Sequence, residues 1–231
     1  MTVASSSPSP GSPLRPLQPR SGRSAVKRAQ IVNVAMRHFA EHGFQASRIG
    51  DIADELGIAK GSIFQHFKSK NGLFFEVYRN AVRSLPAYLD APSEIQKKGF
   101  FEVLRYWLAR TEHLVREDWI PYRVSLLGNH GTDLALKREI NRFLVAEDPY
   151  GTVAFVKMGI RRREVSDMDI EMIVSIIDWT MERFQDALLT EELDPGLFRR
   201  NGQPASQKEA RIGQFLQVLR GAIGRPAATR S

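Results

Sequence analysis

The stretch GIAKGSIFQHFKSK, residues 57–70, combines side chains that bind a polyanion with side chains that build a helix core. Lys60 carries a positive charge that suits a polyanion, and the amide of Gln65 can both donate to and accept from a base edge. Ile63 and Phe67 lie four positions apart, which places them on one face of a helix. The spacing therefore predicts a helix that buries one side and presents the other to a nucleic acid.

A shorter helix before this stretch would set its position. We predict that it begins after Ser47, which would act as its N-cap, and ends at Gly57. Two helices that cross steeply through a short turn need a small residue where they touch, a glycine where φ is positive, and a branched apolar residue in the angle. Ala53, Gly57 and Ile63 supply these in order. The pattern predicts a helix-turn-helix, whose last helix suits a major groove about 12 Å wide.

The rest of the chain has helical periodicity and no run of alternating apolar and polar residues long enough for a sheet. We therefore predict an all-α fold. Gly43 is expected to end the first helix in left-handed geometry, Ser69 to cap the fourth, and Pro149 to kink or divide a later one. The predicted helices cover residues 24–41, 49–56, 60–67, 70–85, 95–116, 119–128, 132–159, 167–190 and 206–222.

The composition is that of a globular chain that can bury a core, with 231 residues of which 42% are apolar. There is no cysteine, which excludes disulfides, thiolate zinc sites and cysteine nucleophiles. The longest apolar runs fall far short of the roughly 18 residues of a membrane span, so no membrane partner is expected. Residues 1–22 are rich in Ser and Pro, have no apolar signal core and are predicted to be a disordered tail.

Positive charge is concentrated near the start of the chain. Residues 20–80 contain ten Lys and Arg against five acidic residues, which gives +5 of the total charge of +7. A basic first part on a nearly neutral remainder is typical of a polyanion-binding module. Arg20, Arg23, Lys27 and Arg28 form a basic arm for which two interpretations stay open, contact with DNA and a solvated tail.

The 48 residues from Ile31 to Tyr78 resemble the DNA-binding domain of the TetR family of bacterial transcriptional regulators. The segments that carry the resemblance are HFAEHGF at 38–44, IGDIADELGIAKGSIFQHFKSK at 49–70 and LFFEV at 73–77. The later part of the chain is similar to the family in length and helical architecture only.

The resemblance implies a three-helix helix-turn-helix DNA-binding domain over 23–70. A larger helical ligand-binding and dimerisation domain would follow over 71–231. The positions that match the family's DNA contacts are Ser47, Arg48, Lys60, Gly61, Ser62, Phe64, Gln65, His66 and Lys70.

Each of these contacts has an expected role. Lys60 and Ser62 would enter the major groove, and Gln65 would read a base edge, since Gln suits bidentate contact with adenine. The phosphate-binding side chains would be Arg48, His66 and Lys70. The family often has Tyr where this chain has Phe64, which has no hydroxyl group to offer a phosphate.

The resemblance also implies that the last two helices pair with those of a second copy. The predicted interface residues are Ile173, Ile177, Phe184, Phe215 and Leu219. The helices between would enclose a ligand pocket, although aromatic residues at helical spacing also fit an ordinary core. The predicted pocket residues are Trp107, Trp119, Tyr122, Phe143 and Phe155.

The resulting hypothesis is a homodimeric repressor that binds a double-stranded DNA operator, expected to be an inverted repeat, and is released by a small-molecule effector. It would act in the cytoplasm on the nucleoid. No cofactor, metal or catalytic residue is expected, because the chain has no Gly-rich phosphate loop, no G-x-S-x-G and no H-E-x-x-H. A ligand-independent protein of chromosome organisation or replication and a transcriptional activator remain as alternatives.

Overall fold

The computed structural model describes residues 22–131, 133–199 and 207–226, so the tail predicted over 1–22 lies outside the described residues except for Gly22. Regular structure within these ranges is helical, apart from an isolated antiparallel bridge, and the all-α prediction is confirmed. Within the same ranges, no helix is both long and apolar enough to cross a membrane. The helices are α1 (Arg23–Ala46), α2 (Ile49–Glu55), α3 (Lys60–Phe67), α4 (Lys70–Ser84), α5 (Ser93–Lys98), α6 (Phe100–Glu117), α7 (Trp119–His130), α8 (Leu134–Glu147), α9 (Thr152–Arg161), α10 (Ile170–Leu189) and α11 (Lys208–Ile223), with a 3-10 turn at Tyr88–Asp90.

The helices pack as two compact units. Of the described residues, the first contains 22–81 together with 113–131, and the second contains 82–112, 133–199 and 207–226. The predicted domains are defined by function and these units by packing, so the boundary after residue 70 stays a prediction.

The core of the first unit forms between α1 and α4. Ile31, Ala35 and Phe39 follow the helical repeat of α1 and have no exposed surface. The ring of Phe74 from α4 lies 5.0 Å from the rings of both Phe39 and Phe44, centre to centre. Helix α7 also packs against α1. This core holds the short helices α2 and α3 on a rigid base.

Gly43 interrupts α1 with a kink. It has φ 77° and ψ 168°, so φ is positive as predicted, whereas ψ is extended and not left-handed helical. The regular helix that begins at Arg23 stops before Gly43, close to the predicted end near residue 41, and a further helical segment continues from the kink to Ala46. Glycine populates positive φ at little cost, which allows the kink.

In the second unit, one helix that was predicted as continuous is divided in two, and the break predicted in another helix is present. The prediction of a single helix over 95–116 is wrong, because Gly99 has φ 117° and separates α5 from α6. A Cβ at Gly99 would lie 2.5 Å from Oε2 of Glu164, which accepts a hydrogen bond from the backbone N–H of Phe100. The break predicted at Pro149 is present, since α8 ends at Glu147 and α9 begins at Thr152.

Helices α6, α9, α10 and α11 enclose the core of the second unit. Its aromatic part includes Phe100 and Phe155, whose rings stack at 4.1 Å between centres. The rings of Phe184 and Phe215 stack at 4.3 Å and join α10 to α11. The fully or almost fully buried aliphatic members are Leu104, Leu108, Ile173, Ile177, Met181, Leu216, Leu219 and Ile223.

Candidate nucleic-acid interface

The turn between α2 and α3 has the geometry that the sequence predicts. Gly57 has φ 62°, and its N–H donates to the carbonyl of Asp54 at 3.0 Å. The next N–H, that of Ile58, donates to the carbonyl of Ala53 at 3.0 Å. This pair of bonds is a Schellman motif, which satisfies carbonyls at the end of α2 and requires a left-handed residue. Gly57 therefore fixes the direction in which α3 leaves the turn.

One face of α3 is buried and holds the helix in place. Ile63 and Phe67 are 1% and 5% exposed, and α3 packs against α2, in which Ile52 and Ala53 are also buried. Burial of a large apolar side chain contributes roughly 1.5–3 kcal/mol. The amphipathic arrangement predicted from the sequence is present.

The opposite face of α3 is open to a partner. Lys60, Gly61, Phe64 and Gln65 are exposed, and a Cβ added at Gly61 would meet no atom within 4 Å. The ammonium of Lys60 lies 5.9 Å from the centre of the Phe64 ring, near the limit of a cation–π contact. The face thus offers a charge, an aromatic ring and an amide within the first two turns, and its glycine leaves room for close approach.

The remaining predicted contacts differ in their accessibility. Arg48 is exposed at the N-terminus of α2, where its backbone is extended. Ser62 and His66 are half-buried on the flanks of α3. A phosphate-binding role for Arg48 is compatible with this placement because, within residues 22–131, 133–199 and 207–226, its guanidinium has no competing hydrogen-bond or ion-pair partner.

Ser47 has a different role from the one predicted. It is 3% exposed, and its hydroxyl lies 2.7 Å from the carbonyl of Gly43 and 3.0 Å from that of His38, where it donates. The N-cap position of α2 belongs to Arg48, and no side chain caps it. The prediction of Ser47 as an N-cap is wrong, and its buried hydroxyl stabilises the kink of α1 instead of facing a ligand.

Lys70 is partly used within the protein. Its ammonium donates to the carbonyl of Gln45 at 3.1 Å and lies 4.7 Å from the centre of the Phe44 ring. Burial lowers the pKa of Lys70. The predicted cap of α4 is present, since the hydroxyl of Ser69 accepts from the N–H of Gly72 at 3.0 Å. A phosphate contact by Lys70 stays a proposal, and such a contact would replace or share the bond to Gln45.

Arg28 ties three helices of the first unit together. Its guanidinium donates to the carbonyl of His66 at 3.1 Å and lies 3.0 Å from the carboxylate of Glu76. It also lies 4.5 Å from the centre of the Phe67 ring. Arg28 is thus engaged by α3 and α4, whereas Arg23 is exposed. Of the other two basic-arm residues, Lys27 is half-buried and Arg20 lies outside the described residues.

A second charged cluster joins α1 to α2. The carboxylate of Glu55 accepts from Nε2 of His38 at 2.8 Å and from the guanidinium of Arg37. The hydrogen bond from His38, followed by that from Arg37, holds the pKa of Glu55 below its usual range. The cluster ties the end of α2 to α1 and gives His38 a structural role.

Lys68 is an exposed cation that the sequence analysis did not assign. It follows the last residue of α3 and has φ 63° and ψ −40°. The positive φ turns the chain from α3 into α4 while the side chain stays exposed. The signal was present in the sequence, since Lys68 lies between a predicted helix and the predicted cap Ser69, but its exposure depends on the backbone turn.

The predicted pocket residues belong to both compact units. Trp119 and Tyr122 lie in the first unit, and Trp107, Phe143 and Phe155 lie in the second. Phe155 is fully buried between the rings of Tyr88 and Phe100, which makes it a core residue. Trp107 is half-buried and donates its indole N–H to the carbonyl of Tyr88 at 3.2 Å.

The predicted interface residues are mostly interior. Ile173, Ile177, Phe184 and Leu219 are at most 8% exposed within the single chain, so they are core residues, and only Phe215 is partly exposed. These four predicted residues therefore lie on the buried faces of α10 and α11, not on the faces open to a second copy. The apolar side chains that these helices do expose are Met172, Trp179 and Val218, at 54%, 64% and 74%.

Residues 31–77, which contain α2, α3 and most of α1 and α4, match the family described as bacterial regulatory proteins, tetR family. The family match is confined to this segment. The chain is 25% identical over 170 residues to the HTH-type transcriptional repressor AcnR of Corynebacterium efficiens, a match over 74% of this chain and 86% of that protein. It is 37% identical over 70 residues to the repressor KstR2 of Rhodococcus jostii, over 30% of this chain and 34% of that protein.

Solved structures show the same fold. A putative TetR-family regulator from Vibrio parahaemolyticus superposes with a TM-score of 0.57 at 20% identity, over 87% of this chain and 100% of that one. A putative tetR-family regulator from Shewanella sp. PV-4 gives 0.56 at 15% identity, over 86% and 98%. The fold of the TetR family therefore extends through most of the chain, beyond the segment that carries the sequence match.

Proposed function

We propose that this chain is a sequence-specific transcriptional repressor that binds its operator as a homodimer and is released when a small molecule binds. The observation that carries the proposal is the exposed face of α3, on which Lys60, Phe64 and Gln65 stand away from the core beside the open position Gly61. The relatives AcnR and KstR2 are named as repressors, which favours repression over activation. Such a regulator acts on the chromosome, in the bacterial cytoplasm.

The protein would contact both the base edges and the phosphate backbone of its operator DNA. Gln65 and Lys60 offer hydrogen bonds to base edges, with Gln suited to adenine and Lys to guanine. Arg48 and Lys68, both exposed, offer charge to phosphates. Phe64 has no hydroxyl group, and its exposed ring is suited to apolar contact with a thymine methyl.

A second copy follows from the size of the reading element. Helix α3 has eight residues, so it is about 12 Å long and reaches a single half-site. Two copies related by a two-fold axis would read an inverted repeat. We propose that the exposed apolar side chains of α10 and α11, Met172, Trp179 and Val218, contribute to contact between the copies.

A footprint on DNA upstream of the gene, at about 0.15 M salt, tests the proposal because non-specific phosphate binding is weak there. A protected inverted repeat is expected for the natural chain. The Lys60→Ala, Gln65→Ala double variant should lose the protection. Lys157→Ala is the matched control, since it removes an exposed charge from α9 in the second unit and should leave the footprint unchanged.

Two outcomes would contradict the proposal. Binding that is equal on all duplexes and strongly reduced by salt would favour the architectural alternative. A footprint that survives the double variant would mean that α3 is not the reading element. Transcription from a promoter that contains the protected repeat should fall when the protein is added, and a rise would make it an activator.

A further inference from the structure

The second unit carries a patch of exposed positive charge at the ends of three of its helices. The exposed side chains that form this basic patch are Lys97, Lys98, Arg161, Arg162, Arg163, Arg220 and Arg225. In the part of the chain that the structure describes, none of them forms an ion pair with a carboxylate. Glu164 is the acidic residue that borders these segments, and its carboxylate accepts from the backbone N–H of Phe100. The charge of the patch is therefore available to a partner.

Hydrogen bonds bring the three helix ends together. The guanidinium of Arg162, just after α9, donates to the carbonyl of Gln96 near the end of α5 at 2.7 Å. The backbone N–H of Arg225, just after α11, donates to the carbonyl of Glu164 at 3.1 Å. Because both bonds involve the segment that follows α9, the cations of the patch lie on one continuous surface of the second unit.

The charge of the patch exceeds what the helix ends require. The C-terminus of a helix carries about half a negative charge, which cations in the last turn offset. Helices α5, α9 and α11 end at Lys98, Arg161 and Ile223, so together they present roughly one and a half negative charges. The cations of the patch leave a large positive surplus beyond this.

Arg163 occupies a backbone position that favours glycine. Its φ is 59°, and its N–H donates to the carbonyl of Ile160 at 2.9 Å. The next N–H, that of Glu164, donates to the carbonyl of Gly159 at 3.0 Å, which completes the same Schellman motif that Gly57 makes after α2. A residue with a Cβ is strained in this conformation. An arginine where glycine would fold more stably points to a use for its charge outside folding.

The patch offers charge without an apolar or aromatic surface. The exposed large apolar side chains of the described residues lie outside the segments 97–98, 161–163 and 220–225. Phe101, whose ring centre lies 4.3 Å from the guanidinium of Arg220, is only 3% exposed. Protein interfaces have an apolar centre, membrane surfaces take up apolar side chains, and single strands of nucleic acid stack on aromatic rings. The phosphates of a duplex need only the charge.

We propose that the basic patch binds the phosphate backbone of duplex DNA without regard to sequence. Its guanidinium groups can hold phosphate oxygens in pairs, and its two lysines add point charges. This surface goes beyond the proposed function, since it lies in the second unit whereas the exposed face of α3 lies in the first. A chain bound to its operator through α3 would hold a second duplex through the patch. Only the choice of DNA over an RNA duplex rests on the proposed function.

The test measures binding of an unrelated DNA duplex of about 20 base pairs by fluorescence anisotropy, between about 0.05 and 0.2 M salt. Because the face of α3 also attracts phosphates, the full chain carries Arg48→Ala, Lys60→Ala and Lys68→Gln as a background. This background chain should still bind the duplex, with an affinity that falls steeply as the salt concentration is raised. Failure of the background chain to bind at about 0.05 M salt would overturn the proposal.

The patch variant adds Lys97→Gln, Lys98→Gln and Arg161→Gln to the background chain. Because three phosphate contacts are lost, the slope of log K against log salt should become shallower by roughly 3. The affinity for the unrelated duplex at about 0.05 M salt should fall at least about tenfold. An unchanged slope and affinity would mean that these cations do not contact DNA.

The matched control removes the same net charge from exposed positions elsewhere in the second unit. Its changes are Arg110→Gln, Arg138→Gln and Arg142→Gln, made in the same background. Because these positions are screened from the patch by salt, the control should keep the affinity for the duplex within about twofold. Equal losses in the control and the patch variant would show that net charge alone attracts DNA and would overturn a defined patch.

Arg163→Gly separates binding from folding, because it removes a charge and the strain of a positive φ together. This variant should unfold at a higher temperature than the background chain and bind the unrelated duplex less tightly. Lower stability with unchanged affinity would give Arg163 a structural role and contradict the use of its charge for DNA.

Two further probes distinguish the other occupants of the patch. An RNA duplex of the same length that binds more tightly than the DNA duplex would overturn the choice of DNA. Binding to phosphatidylglycerol vesicles or to polyglutamate that the patch variant loses, while its duplex binding is unchanged, would overturn nucleic acid as the partner.

The footprint assay separates the patch from the proposed function. The three changes of the patch variant, made in the natural chain, should leave the operator footprint intact at about 0.15 M salt. Loss of that footprint would make the patch part of the operator contact and contradict its independence from α3. Absence of any operator footprint, together with duplex binding that depends on the patch, would disprove the proposed function and leave the patch standing.

Discussion

Arg28 and Phe67 join α1, the first helix of the first unit, to the end of α3. The guanidinium of Arg28 lies 4.5 Å from the centre of the Phe67 ring and also donates to the carbonyl of the preceding residue, His66. Phe67 is 5% exposed, so the cation rests on a ring that is itself fixed in the core. A basic residue that looks like part of a DNA-binding arm in the sequence is thus a structural clamp on α3.

Replacing Arg28 with Ala should lower stability and weaken operator binding without changing its salt dependence. The loss should be on the order of 1 kcal/mol, since the cation–π contact and the pair with Glu76 are both partly exposed. Urea denaturation and operator titrations at several salt concentrations measure the two effects. Arg23→Ala, an exposed neighbour, is the control, and a reduced salt slope for Arg28→Ala would show direct phosphate contact instead.

Replacing Gln65 with Ala should relax sequence preference at one base pair of each half-site. The expected loss on the best operator is about 1–3 kcal/mol, with little loss on unrelated duplexes. Gel-shift measurements on a set of operators with single base changes would reveal the position that Gln65 reads. An equal loss on every duplex would assign Gln65 to the backbone.

Replacing Lys68 with Gln should weaken binding to all duplexes alike. Because one phosphate contact would be lost, the slope of log K against log salt should become shallower by about 1. Lys68 keeps its side chain exposed at the end of α3, so folding stability should change little. A loss confined to the operator would instead indicate a base contact.

Two glycines of the α2 region should respond oppositely to alanine. Gly57→Ala places a Cβ at φ 62° and should destabilise the unit by about 1–2 kcal/mol. Gly50→Ala lies within α2, where a Cβ would meet no atom within 4 Å, and should stabilise by up to about 1 kcal/mol. Thermal unfolding of both variants compares them, and a stabilising Gly57→Ala would refute the left-handed turn.

Replacing Asp178 with Asn should stabilise the protein at neutral pH. Burial raises the folded-state pKa of Asp178 to about 6, so the stability that the protonated form retains below pH 4 is lost as the pH rises through 6. A shift of about two pKa units corresponds to roughly 2–3 kcal/mol. Urea denaturation at pH 4 and pH 7.5 should show little difference from the natural chain at the lower pH and a gain of this order at the higher one. No gain at pH 7.5 would mean that the carboxylate is solvated or paired.

The helix-turn-helix part of the first unit could be predicted closely because the sequence features that define its turns, helix ends and caps are local. The turn at Gly57, the boundaries of α3 and the cap Ser69 all depend on residues within a few positions of one another. The predicted N-cap role of Ser47 is wrong because its hydroxyl interacts with the carbonyls of Gly43 and His38. This arrangement depends on the kink in α1, which the sequence around Ser47 does not reveal.

The second unit was harder to predict because long-range contacts decide its details. The division at Gly99 follows from its φ of 117°, and the carboxylate of Glu164, which lies far along the chain, accepts from the N–H of Phe100 at the start of α6. Helix α10 has apolar residues on two faces, and the sequence alone does not tell which face is buried. The interface prediction placed Ile173 and Ile177 on the exposed face, whereas they are buried and Trp179 is exposed. The hydrogen bond from Thr152 to Asp178 has no sequence pattern, because it joins α9 to α10.

Gly99 and Glu164 also carry an evolutionary consequence. Glycine at position 99 is required by its φ of 117°, whereas the carboxylate of Glu164 near the place of a side chain is the end of a flexible side chain that can move. Loss of Glu164 in a descendant sequence would therefore leave the requirement for glycine in place. Position 99 should therefore remain glycine across orthologues even where position 164 varies, and its substitution should appear only in lineages that have rebuilt the connection between α5 and α6.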